Sequence, residues 1–255
     1  MAILTKNSCD VISHRRRFNY SMRHKLVKVK NIISLSSAFQ ESKDSAAAVP
    51  RMGLLYGFTG IGKTTATAWL VNKENGIYVR ATSVWSPSAM LQDISIELSI
   101  DPPSLPAKML TAVKEQMKLS RRPLFIDEAD YLFHNPKMLQ VARDIHDLTE
   151  LPVWLIGIDG VEKKIANRKI VAGRISQWVK FQPCDLEDTR LLAKELCEIE
   201  IHEDLLVKLH ELSNGSIRLI TVGLSRVEAF TKAQRWQSIS AGQWSGRPFF
   251  LSRQM

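Results

Sequence analysis

Gly57-Phe58-Thr59-Gly60-Ile61-Gly62-Lys63-Thr64 fits the phosphate-binding pattern G-x-x-x-x-G-K-[ST] at every fixed position. Ahead of it, Met52-Gly53-Leu54-Leu55-Tyr56 is a short apolar run that predicts a buried strand. Behind it, Thr65 to Val71 predicts a helix. Strand, glycine-rich loop and helix form the context in which this string is a site rather than a turn that binds nothing. Glycines let the loop wrap closely, so the backbone N–H groups of Gly57, Thr59, Gly60, Ile61, Gly62, Lys63, Thr64 and Thr65 can turn toward phosphate oxygens. The following helix N-terminus adds partial positive charge. Lys63 is expected to reach the β- and γ-phosphates and the Thr64 hydroxyl to hold Mg²⁺, so the implied ligands are ATP and Mg²⁺.

Working outward, the next strands are expected at Gly76–Arg80, Pro123–Ile126, Leu151–Gly157 and Gln177–Phe181. The third of these five strands runs straight into Asp127-Glu128-Ala129-Asp130. A carboxylate at a strand's C-terminal end can hold Mg²⁺ and its neighbour can deprotonate water, so Asp127 takes the metal role and Glu128 the base role. Asp130 reads as helix capping. Asp159, after the fourth strand, either contacts water or metal or caps the helix starting near Val161. Ser86-Pro87 starts one helix, another is expected from Leu105 to Leu119, and a third from Pro136 to Glu150. Beyond Pro183 the pattern predicts helices only, over Leu186–Glu198, Asp204–Leu212 and Ser216–Ala229. This is an α/β core, a five-stranded parallel sheet flanked by helices, with a small α-helical lid.

The 255 residues suffice for a full core, and 45% hydrophobic with 24% charged residues is ordinary for a globular chain. No apolar run approaches membrane-spanning length, and no signal-like apolar region follows the N-terminus. Cys9, Cys184 and Cys197 lack metal-like spacing and read as reduced thiols, which points to the cytoplasm. The net charge of +9 is concentrated at the ends. Residues 1–30 hold eight Lys or Arg against one Asp, and residues 231–255 hold four against none. Residues 1–30, with Arg15-Arg16-Arg17, are expected to be a mobile arm, with Met22 as an alternative start. Val29–Gln40 is expected to be a helix leading into the core. Basic ends on a near-neutral centre suit a polyanion, nucleic acid first; solvated tails are the plainer reading. Trp236, Trp244, Phe249 and Phe250 lie among Arg and Gly, and either stack on bases or, the favoured reading, dock the tail onto the core.

The motifs GFTGIGKT, LFIDEADYL, AGRISQWVKF and NGSIRLI, in that order, resemble the AAA+ ATPases, and more specifically the Mu B, TnsC and TniB type of transposition regulator. The resemblance spans about Val49 to Glu228. It implies a P-loop AAA+ core over residues 49–183 and a helical lid over 184–230, between a basic N-terminal arm with its leading helix (1–48) and a basic aromatic tail (231–255). It implies that Arg218 contacts the nucleotide in cis and that Arg174, with Arg168 as the poorer match, reaches the γ-phosphate of a neighbouring subunit. Catalysis is then expected to rest on Glu128, Lys63, Arg218 and Arg174. The implied function is a slow ATPase that oligomerises as a filament or ring on duplex DNA, without sequence preference, and presents that DNA to a transposase; no membrane is involved. Two features depart from the pattern. Ile158 stands where relatives often carry a polar sensor, and the folded DNA-binding domain that precedes the Mu B ATPase has only a short basic arm and one helix as its counterpart. A helicase loader, a nucleotide-dependent scaffold with negligible hydrolysis and a small-molecule P-loop kinase are the rival readings.

Overall fold

Met52–Tyr56 forms β1, the second strand from one edge of the main sheet, with its first four residues fully buried. In the computed structural model, which describes residues 22–250 apart from His24 and Ala47, four more parallel strands join it. These are β2 (Ile77–Arg80), β3 (Leu124–Asp127), β4 (Val153–Ile156) and β5 (Ile175–Lys180), in the order β2-β3-β4-β1-β5. Strands covered on both faces favour apolar residues, which is why β4 and the Leu124–Ile126 part of β3 read as unbroken runs rather than alternations. The helices are α1 (Lys30–Asp44), α2 (Lys63–Glu74), α3 (Pro87–Glu97), α4 (Pro106–Ser120), α5 (Pro136–Thr149), α6 (Val161–Ala166) and α7 (Lys169–Ala172). Ser86 caps α3 by accepting the Ala89 N–H, and Asn135 caps α5 from the Lys137 N–H.

Two apolar clusters occupy the two sides of the sheet. One joins Met52, Leu54, Ile126 and Leu155 to α3, α4, α5 and α6. The other joins Leu55, Phe125, Trp154, Ile156 and Val179 to α1 and α2, and runs on without a break into the C-terminal helices. Those are α8 (Leu186–Leu196), α9 (Glu203–Ser213), α10 (Ile217–Ala233) and the single turn α11 (Ala241–Trp244). Lid and sheet therefore share one apolar core.

Between β3 and α5 the chain forms a short 3₁₀ helix at Ala129–His134. Two expectations need correcting. The C-terminal part is not helices only: β6 (Glu200–Ile201) and β7 (Ser238–Ile239) form a two-stranded parallel sheet. The basic arm is not free along its length. Its Arg15-Arg16-Arg17 run lies outside the described residues, but the described residues from Met22 to Val29 pack on the lid. There the Arg23 N–H donates to the Leu196 carbonyl (2.9 Å), Val27 and Val29 are buried, and Lys25 pairs with Glu195. Lys30 pairs with Asp185 and Glu187, its backbone N–H donates to Asp188, and Asn31 exchanges two hydrogen bonds with Gln182. At the other end, Trp244 and Phe249 are buried and stacked on each other (centroids 5.4 Å apart), so they offer no face to a base.

Candidate nucleotide site

The carboxyl ends of the five parallel strands carry Gly57, Arg80, Asp127, Ile158 and Lys180, and in open α/β sheets this edge is where ligands bind. Gly57 leaves β1 at φ 144°, where an added Cβ would lie within 3 Å of the Ile61 side chain and the Phe181 carbonyl. Gly62 (φ 90°) caps α2 in the left-handed region, closely apposed to Ile217 of the lid. Lys63 is the first residue of α2, and its Nζ donates to the carbonyls of Gly57 (2.7 Å) and Phe58 (2.8 Å). Burial pushes its ammonium below the ordinary lysine value, against the opposing pull of Asp127, Glu128, Asp130 and Asp159. Thr64 and Thr65 are exposed beside it.

The acidic side is organised by β2. The Tyr78 hydroxyl donates to Asp127 Oδ2 (2.8 Å), while Asp127 Oδ1 accepts the Glu128 N–H (2.8 Å). Burial, and then the bond to Asp127, raise the Tyr78 phenol above its ordinary value, so it remains a donor. Arg80 Nη2 donates to Glu128 Oε1 (3.0 Å), and Glu128 sits in left-handed backbone at φ 55°. Sequence reasoning missed both Tyr78 and Arg80. Asp130 does not cap a helix: its Oδ2 accepts the Ile158 N–H (2.8 Å) and so ties the end of β4 to the segment after β3. Asp159 does not cap α6 either, since Gly160 occupies that position; it pairs with Lys180 at 3.4 Å.

The lid closes directly onto the loop. The Arg218 N–H and the Ser216 hydroxyl both donate to the Gly60 carbonyl (3.1 and 3.3 Å), and Ser216 caps α10. The Arg218 side chain is exposed at the rim. Gly215, at φ 70°, allows this approach, because a Cβ there would meet the Cys184 backbone closer than 3 Å. Lys63, Thr64, Asp127, Glu128 and Arg218 are thus gathered around one loop. Arg174 is not. It precedes β5 at the opposite end of the sheet, where its carbonyl accepts the Met52 N–H. The five residues of β1 place that end about 15 Å from the loop.

These residues fit a Mg²⁺-bound nucleoside triphosphate. The loop is shaped by glycines that a Cβ would obstruct, Lys63 has only loop carbonyls to exchange for phosphate oxygens, and each Asp127 oxygen accepts a single hydrogen bond. A lone hydroxyl and carboxylate are the ordinary protein contribution to Mg²⁺, which takes its other ligands from water and phosphate.

Residues 48–165 match the family model described as AAA domain. With the parallel sheet and its helices, that stretch matches the form of a P-loop AAA+ core. Solved structures share the fold. The ORC2 protein of Aeropyrum pernix, in ADPNP–ADP complexes, is similar at a TM-score of 0.68 and 15% identity over 90% of this chain and 70% of that one. Cdc6p of Pyrobaculum aerophilum is similar at 0.62 and 16% over 91% and 66%. The ORC1 protein of Aeropyrum pernix, solved in complex with DNA, is similar at 0.61 and 17% over 87% and 64%. The chain therefore spans about two thirds of the length of these proteins. No curated protein sequence matches it.

Proposed function

We propose that this chain is an ATP-dependent, sequence-nonspecific DNA-binding ATPase that oligomerises on duplex DNA and selects or activates target DNA for a transposase. The observation that carries it is the hydrogen-bonded seat of Ser216 and Arg218 on the Gly60 carbonyl. A lid attached to the phosphate loop itself makes the outer surface answer to what the loop holds. Lys63, released from the Gly57 and Phe58 carbonyls, would hold the phosphates, with Arg218 beside it. Thr64 and Asp127 would hold Mg²⁺, which when bound neutralises charge on the triphosphate. Glu128, once freed from Arg80, accepts a proton from the attacking water at its carboxylate. Arg174, at the far end of the sheet, serves the site of a neighbouring copy and so ties assembly to nucleotide state. Basic side chains supply DNA contact through phosphates, which makes it steeply salt-dependent and indifferent to sequence.

The test is binding to random-sequence duplex DNA with and without ATP and Mg²⁺ across a salt series, with imaging of the complexes. ATP-dependent filaments or rings that weaken steeply with salt, and that Lys63→Ala abolishes, are the expected result. ATP-dependent binding that survives Lys63→Ala would sink the reading. A replication-type ATPase that grips a helicase is the second reading, supported by the fold shared with the ORC and Cdc6 proteins. Stable co-purification with a helicase and no stimulation of any transposase would favour it.

A further inference from the structure

Arg174 is gripped by more hydrogen bonding than an exposed ion pair needs. Its Nε donates to Asp147 Oδ1 (3.2 Å) and its Nη2 to Asp147 Oδ2 (3.1 Å), a two-point fork that fixes the plane of the guanidinium. Asp147 Oδ1 also contacts His146 Nδ1 (2.9 Å), and His146 Nε2 faces the backbone N–H of Arg51 (3.0 Å). A backbone N–H can only donate, so Nε2 is the acceptor and Nδ1 carries the proton that Asp147 receives. His146 as a whole is 7% exposed. Arg51 is itself anchored, its guanidinium donating to the carbonyls of Glu150 (3.1 Å) and Ser45 (2.8 Å). The relay runs from the residue ahead of β1, through α5, to the residue ahead of β5.

The Arg174–Asp147 pair adds little stability of its own. The Arg174 and Asp147 side chains are 40% and 34% exposed, and pairs this open contribute on the order of 0–1 kcal/mol. Burial raises the Asp147 carboxyl, yet the bonds from Arg174 and His146 hold it below the usual carboxylate range, so it is charged whenever Arg174 is to be held. The fork engages one edge of the guanidinium. Among the described residues the Nη1 edge has no hydrogen-bond partner, and Arg174 borders an open cleft of about 350 Å³ shared with Val49, Pro50 and Glu150.

We propose that Asp147, oriented by His146, is a positioning residue that presents the free edge of Arg174 to the γ-phosphate held by a neighbouring copy. The inference rests on the reading of Arg174 given under Proposed function and adds the residues that aim it. Arg174 enters the shared site already oriented, so little of its side-chain freedom is lost on assembly.

The test uses the full chain with ATP, Mg²⁺ and duplex DNA, comparing Arg174→Ala and Asp147→Asn alone and each mixed with Glu128→Gln. A Glu128→Gln subunit has an inactive site but an intact Arg174, while an Asp147→Asn subunit has the reverse. Asp147→Asn alone is expected to lose ten- to a hundredfold in turnover while its melting midpoint and ATP binding stay at wild-type values. Mixing it with Glu128→Gln should restore turnover well above the sum of the two. A loss that mixing does not repair, or one accompanied by a lowered midpoint, would make Asp147 a structural staple and overturn the proposal. Wild-type turnover in Asp147→Asn beside an impaired Arg174→Ala would also overturn it, leaving the role of Arg174 standing. Wild-type turnover in Arg174→Ala would remove that role and the proposal together.

Discussion

Glu128 is held where it cannot act as a free base. Its carboxylate is paired with Arg80, and its left-handed backbone aims the Glu128 N–H at Asp127. In the proposed mechanism, a carboxylate oxygen occupied by a guanidinium is not free to receive the proton of water, so the pair would restrain turnover until something draws Arg80 away. Arg80→Ala is expected to raise DNA-independent ATP turnover severalfold and to flatten any stimulation by DNA, as a coupled phosphate-release assay would show. An unchanged basal rate would mean that nucleotide alone breaks the pair. Lys63, Asp127 and Glu128 were legible because each sits in a contiguous motif next to its strand. Tyr78 and Arg80 were not, because their relevance comes from the pairing of Arg80 with Asp127 across two strands far apart in the chain. No local pattern announces that register.

Among the elements, β1 and β4 show how tightly the loop is supported from below. Gly53 lies opposite Trp154, whose indole fills the space a side chain would take; a Cβ there would fall within 3 Å of the ring. Phe39 of α1 packs on the same indole (centroids 5.8 Å), so the ring has nowhere to yield. Gly53→Ala is expected to cost about 1–3 kcal/mol, measurable as a lowered denaturation midpoint. The relief variant Gly53→Ala/Trp154→Leu should recover part of that loss. Most helices could be read from apolar spacing and caps, because long periodic elements carry their own signal, and the five main strands from short apolar runs. The two-residue strands β6 and β7 could not, since their pairing is tertiary and two residues have no period.

At the scale of the whole molecule, α1 and the segment before it bind the lid to the sheet. Removing residues 1–29 takes away Val27 and Val29 and the Lys25–Glu195 pair. Such a chain is expected to lose about 2–4 kcal/mol of stability, chiefly from the two buried valines, and to be cleaved faster within the lid by a limiting protease. Nucleotide is expected to act in the opposite sense. ATP with Mg²⁺ at a hundredfold its dissociation constant should add about 2.7 kcal/mol of apparent stability, and Lys63→Ala should abolish that gain in a thermal-shift measurement. The sequence predicts a free arm because the charge run there has no apolar period. Its carboxylate partners on α8 lie more than 150 residues away in the chain and cannot be paired with it by local reasoning.

The strand order β2-β3-β4-β1-β5 also governs how the chain is made. Met52–Tyr56 emerges first among the strands, but its neighbours β4 and β5 follow about a hundred residues or more later. At ribosomal speeds of about 5–20 residues per second, the Met-Gly-Leu-Leu-Tyr run waits on the order of 5–20 seconds with both edges unpaired. The phosphate loop cannot take shape before then, because Phe181, which closes against Gly57, is made later still. The nascent chain therefore passes through a long interval as an adhesive apolar segment, and its yield in the cell should depend on chaperone supply more than its final stability would suggest.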